Sequence, residues 1–163
     1  MEFFKNNKKM VALVAAIVMG VATFFDFIKA KASYFGYSIS ESETLFKATW
    51  QGKFVLCFAA VAVIIILAKK IKLVYAPAVL SVILTVWAYL GEKDEVDVQG
   101  VSTNPELGFF LVLIGALVLC FITYLEFQEA KKEGKTVKEF FDPKEFKFLV
   151  EKETYTELFK SGK

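Results

Sequence analysis

Four stretches of this chain carry no charged side chain, and they dictate what it can fold into. They run from Met10 to Phe25, Phe54 to Ala68, Leu73 to Gly91 and Leu107 to Leu125. A helix crossing a bilayer needs about 20 apolar residues, with roughly 17 to 25 seen. The third and fourth stretches meet that length directly. The first lengthens by running past Asp26 through Phe27 and Ile28. The second lengthens back to Trp50, because Lys53 can lift its ammonium toward lipid headgroups. The expected spans are therefore 10–28, 50–68, 73–91 and 107–125, in a transmembrane domain over 1–125 with a tail over 126–163. Hydrophobic residues make up 56% of the chain. A soluble fold would need polar residues to cover four such segments, and too few remain.

Lysine placement orients the spans. Lys69, Lys70 and Lys72 form the turn between the second and third spans, and the positive-inside rule makes that side cytoplasmic. Lys5, Lys8 and Lys9 near the N-terminus, and Lys131, Lys132, Lys135 and Lys138 after the fourth span, fall on the same side. Lys29, Lys31, Lys47, Lys53 and Lys93 fall on the other, so the balance is ten to five. Both termini are expected in the cytoplasm. Trp50, Tyr75, Trp87, Tyr89, Phe109, Phe110 and Tyr124 sit near span ends, where interfacial anchors belong. A rival reading takes residues 1–32 as a signal peptide cleaved after Ala30-Lys31-Ala32. The phenylalanines at 24, 25 and 27 and the nearby lysines oppose it.

Small residues recur at helical spacing inside the spans. Ala12, Ala16 and Gly20 form one stripe, Ser81, Thr85 and Ala88 a second, and Gly108, Gly115 and Ala116 a third. Helices in lipid associate through such residues. A pore lining is the alternative, but serine and threonine hydroxyls can bond to their own helix and need no permeant ion. Cys57 and Cys120 lie at different depths and are expected to be free thiols.

The loops hold the candidate sites. In the first outer loop, Tyr34, Phe35, Tyr37 and Ile39 surround Gly36. They suit a short hairpin or strand packed on the outer end of the helices, or a patch that binds a partner. In the second, Glu95, Asp97, Gln99, Gly100 and Glu106 fall at positions of a calcium-binding loop, in degenerate form. The alternative is a solvated acidic loop turning at Gly100 and at Asn104-Pro105. In the tail, Asp142, Pro143 and Glu145 spell a helix start, and Phe141 and Phe146 have staple spacing. A helix is expected over 143–160, with Phe148, Tyr155 and Phe159 on one face for headgroups or a cytoplasmic partner.

The fold class expected is an all-α membrane protein. It comprises a four-transmembrane-helix bundle, a short β-like outer loop and a C-terminal cytoplasmic amphipathic helix. The layout resembles a largely uncharacterised group of small four-span proteins in Gram-positive bacteria. VATFFDF, SYFGYSISESETLF, GKFVLCFAAVAVIIILAKKIK and GFFLVLIGALVLC carry the resemblance over residues 10–125. It implies a bacterial cytoplasmic membrane and no particular activity. Claudin-like proteins share the four-span plan, but their paired-cysteine motif is absent here.

Function classes narrow by chemistry. The chain has no His, and all 20 of its basic residues are Lys. The usual acid/base group, metal ligand and bidentate anion clamp are missing. Net charge is only +2, which gives no field for nucleic acid. The expected role is non-enzymatic and cofactor-free, through contact with another membrane or envelope protein or with a second copy. An accessory subunit of envelope or secretion machinery, or an immunity-type protein, fits that description. An oligomeric channel or small-solute carrier is the alternative.

Overall fold

The computed structural model describes residues 7–34, 37–96, 101–134 and 136–140. Its elements in chain order are α1 (Lys8–Ala22), β1 (Asp26–Tyr34), β2 (Tyr37–Thr44), α2 (Leu45–Ala48) and α3 (Trp50–Leu67). A 3-10 turn (Ile71–Val74), α4 (Tyr75–Val96), β3 (Val101–Pro105), α5 (Leu107–Lys132) and α6 (Val137–Phe140) follow. Among the described residues, three helical stretches are long and apolar enough to cross a membrane: Trp50–Leu67, Ile71–Asp94 and Leu107–Lys132. The fourth long helix, α1, has 15 residues.

These four helices pack side by side, with α1 against α3 and α5, and α4 against α3 and α5. The small-residue stripes supply the contacts. Ala12, Ala16, Ser81, Thr85, Ala88 and Ala116 are all buried. A Cβ on Gly115 would stand 2.9 Å from the Ala15 carbonyl oxygen and 3.0 Å from Met19 Cβ. Only a missing side chain lets α1 and α5 approach so closely. The buried hydroxyls bond within their own helices: Ser81 Oγ donates to Pro77 O at 2.7 Å, Thr85 Oγ1 to Ser81 O at 2.7 Å, and Thr123 Oγ1 to Leu119 O at 3.0 Å.

The first expected span stops early. Helix α1 ends at Ala22 rather than continuing to Ile28, and Thr23 Oγ1 donates to Gly20 O at 2.7 Å there. From Asp26 the chain is a strand, so Phe27 and Ile28 belong to a sheet. The ladder slips between Asp26 and Ile28, which inserts Phe27 as a bulge. A bulge re-aims a side chain. Here Phe27 is fully buried, with its ring 5.7 Å from that of Phe109. Helix α4 starts after the 3-10 turn and runs past Gly91 to Val96. Helix α5 runs to Lys132, and Gly134 takes a left-handed φ of +82° just beyond, which suits a residue without Cβ.

The second loop differs most from expectation. Asn104 and Pro105 do not turn; they lie in β3, which pairs antiparallel with β1 from Ile28↔Pro105 to Ala32↔Val101. Proline lacks a donor but is tolerated on an edge strand, where one side of the backbone is unpaired. The sheet order is β2-β1-β3, so strands from two separate loops share one central strand. The expected tail helix over 143–160, with Phe148, Tyr155 and Phe159, lies outside the described residues.

Candidate interaction surface

The sheet caps one end of the long helices. Its base is built into them. Glu106 N–H donates to Phe27 O at 3.0 Å, and Phe46 N–H to Thr23 O at 3.0 Å. Leu45 is fully buried. Thr49 caps α3, its Oγ1 accepting from Gly52 N–H at 3.2 Å. A Cβ on Gly108 would lie 2.8 Å from the carbonyl oxygens of both Phe25 and Asp26, so α5 starts directly beneath the α1–β1 turn.

The two faces of the sheet differ. Ile28, Ala30, Ala32, Val101, Thr103 and Pro105 share the face toward the helices and are buried or half-buried. Lys31, Ser102 and Asn104 on the other face are exposed, with Lys29 half-buried among them. Strand β2 breaks this alternation. Every residue from Ser38 to Glu43 is exposed, whichever face it lies on. This strand therefore overhangs the helices, and Ile39 is 68% exposed. Packing of Ile39 on the outer end of the helices, expected from the sequence, is not observed. Tyr34 and Tyr37 pair across the hairpin end; Phe35 lies outside the described residues.

The opposite end gathers lysines. Lys8 Nζ bonds Glu126 at 2.9 Å and also bonds Glu129, tying the start of α1 to the end of α5. Burial alone would depress the Lys8 ammonium. The two carboxylates outweigh it and hold the group above its ordinary value of 10.5. Spacing along the chain gave no hint of this pair. The turn at Lys69 takes a left-handed φ of 59°, which lets α3 reverse into the 3-10 turn.

Of the cation-loop residues, Glu95 lies in the last turn of α4 and Glu106 immediately precedes α5; Asp97 and Gln99 lie outside the described residues. Among the described residues no three Cys, Asp or Glu side chains are grouped to hold a metal. Cys57 is exposed, Cys120 half-buried, and both are free thiols. Sequence reasoning missed Glu41 and Glu43. Two carboxylates spaced by two in a hairpin segment was the available signal, since such residues share a strand face.

No protein-family model matches the chain, and neither a curated protein nor a solved structure shows significant similarity to it.

Proposed function

We propose that this chain is a non-enzymatic four-span protein of a bacterial cytoplasmic membrane that acts by binding another envelope protein. Both termini lie in the cytoplasm and the sheet lies outside. Helix α1 supplies the fourth crossing. Met10, Val14, Ile17 and Val21 form an exposed apolar stripe along it, opposite the buried stripe. That pattern suits lipid on one side and helices on the other. Helix α1, with 15 residues, is about 22 Å long. This is short for a hydrocarbon layer of about 30 Å, but exposed Phe24 and Phe25 and the neighbouring Lys9 can meet the interfaces. Trp50 and Trp87, both exposed with rings 5.9 Å apart, mark the outer interface. The lysines at the other end mark the cytoplasmic side.

One observation carries the binding role: an overhanging strand, exposed on both faces, projects beyond the ends of the apolar helices. Hydroxyls that bond within their own helices favour packing over a channel lining. The proposed role fits an accessory subunit of envelope machinery or an immunity-type protein. Crosslinking in native membranes, followed by affinity purification and mass spectrometry, tests it. A recurring unrelated partner is expected, reduced when the hairpin is altered. Recovery of this chain crosslinked only to itself in fixed stoichiometry would overturn the reading in favour of an oligomeric channel.

A further inference from the structure

Strand β2 has eight residues and forms the outer edge of the sheet. Its side away from β1 pairs with no strand among the described residues. Proteins commonly blunt such edges with charged side chains, proline or a bulge. Between Tyr37 and Thr44 there is no Lys or Pro, and the one slip in the β1–β2 ladder lies at the hairpin base. Among the described residues only Glu41 and Glu43 guard this edge, and they repel an acidic strand rather than a basic one.

Its side chains state what kind of strand would pair. Ile39, Glu41 and Glu43 share one face, opposite Ala32, Ala30 and Ile28 of β1. The carboxylates thus have apolar cross-strand neighbours. Lys29 and Lys31 pair with Ser42 and Ser40 on the other face. Neither Glu41 nor Glu43 is in an ion pair with a described residue, and both are exposed. One side of this edge therefore presents an exposed apolar residue and two exposed negative charges at alternate positions.

We propose that the free edge of β2 accepts an extended segment of another protein, with basic side chains at alternate positions, as a fourth strand of the sheet. Backbone hydrogen bonds would hold it, and the basic side chains opposite Glu41 and Glu43 would set its register. A second copy is a poor occupant. Antiparallel pairing of β2 with itself would crowd four carboxylates onto one face that has no lysine. Anionic lipid headgroups are repelled by the same two charges. The inference rests on the partner-binding reading and adds the edge and the chemistry of the partner.

The test uses the full chain in phosphatidylcholine nanodiscs and fluorescence anisotropy. The probe is a labelled eight-residue peptide of alternating Lys and Val. Two controls are a Glu-Val peptide and a Lys-Pro peptide, the latter keeping the charge but lacking alternate backbone donors. Binding of Lys-Val alone is expected. The double variant Glu41→Gln/Glu43→Gln should weaken it by roughly two- to thirty-fold, from two exposed ion pairs. Lys29→Gln/Lys31→Gln should not weaken it. A photoreactive residue at position 39 should crosslink to the peptide. No Lys-Val binding, equal binding of Lys-Pro, or equal affinity in the double glutamate variant would overturn the proposal. So would crosslinking from position 39 to lipid in the presence of the peptide. A partner captured in native membranes through contacts that avoid β2 would overturn this inference alone; absence of any partner would overturn the partner-binding reading as well.

Discussion

Gly52 sits where a single methyl group should do the most damage. An ideal Cβ there would lie 2.0 Å from the Leu45 carbonyl oxygen, 2.5 Å from its carbonyl carbon and 2.9 Å from Phe46 N. These are backbone atoms, so no rotamer change relieves the clash. Helix α2 would have to move by about 1.5 Å to restore ordinary contact. It is held in place: Leu45 is fully buried, Phe46 N–H bonds Thr23 O, and Leu45 O accepts from Thr49 N–H at 3.3 Å. The shift would also strain the Thr49 cap on Gly52 N–H. Overpacking costs about 1–3 kcal/mol and a weakened cap about 1 kcal/mol. Alanine returns about 1 kcal/mol through helix propensity. Gly52→Ala should therefore destabilise by about 1–3 kcal/mol. Gly91→Ala is the matched control, since nothing lies within 4 Å of its Cβ position. It should be neutral or stabilising by up to about 1 kcal/mol. Reversible unfolding in mixed micelles, titrated with dodecyl sulfate, reads both. Equal stability of the two variants would refute the close approach of α2 to α3.

Other sites give independent checks. Gly115→Val should force α1 away from α5 and cost about 2 kcal/mol or more in the same assay. A double-mutant cycle of Lys8→Met with Glu126→Gln should return a coupling of about 1 kcal/mol, and a value near zero would deny that α1 and α5 are tied at this end. The Lys8 ammonium is held above 10.5, so its contribution should persist from neutral pH to that value. It should be lost as pH rises through the folded value; loss between pH 7 and 9 would contradict the pairing. Lys69→Gly should stabilise by about 1 kcal/mol, because glycine adopts the left-handed φ without steric cost. In a background without Cys57 and Cys120, Ala30→Cys with Thr103→Cys should oxidise to a disulfide, since these positions pair across β1 and β3. Failure to form it, while Ala30→Cys with Glu41→Cys succeeds, would remove β3 from the sheet.

The helices were legible because their signal is local and periodic. The charge-free run from Phe54, extended back past Lys53 to Trp50, located α3 to within one residue; the fourth run located the start of α5, and small residues marked the buried faces. The end of α1 was not legible. Phe24, Phe25, Phe27 and Ile28 continue the apolar run across a change from helix to strand, and only tertiary burial of Phe27 decides it. Strand β3 was hidden for a different reason. VSTNP is short, ends in Asn-Pro and looks like a turn; its pairing with β1 joins residues far apart in sequence. The Lys8–Glu126 pair, 118 residues apart, is equally invisible to spacing rules. The hairpin was expected around Gly36, but its overhang depends on where the helices end.

A membrane-crossing α1 places the sheet and the N-terminal end of α1 on opposite sides. Single cysteines at Asn7 and Ser40, in a background without Cys57 and Cys120, test it with a membrane-impermeant maleimide on intact cells. Position 40 should label at once, and position 7 only after the membrane is permeabilised. Equal labelling of both in intact cells would put them on the same side and reduce the crossings to three.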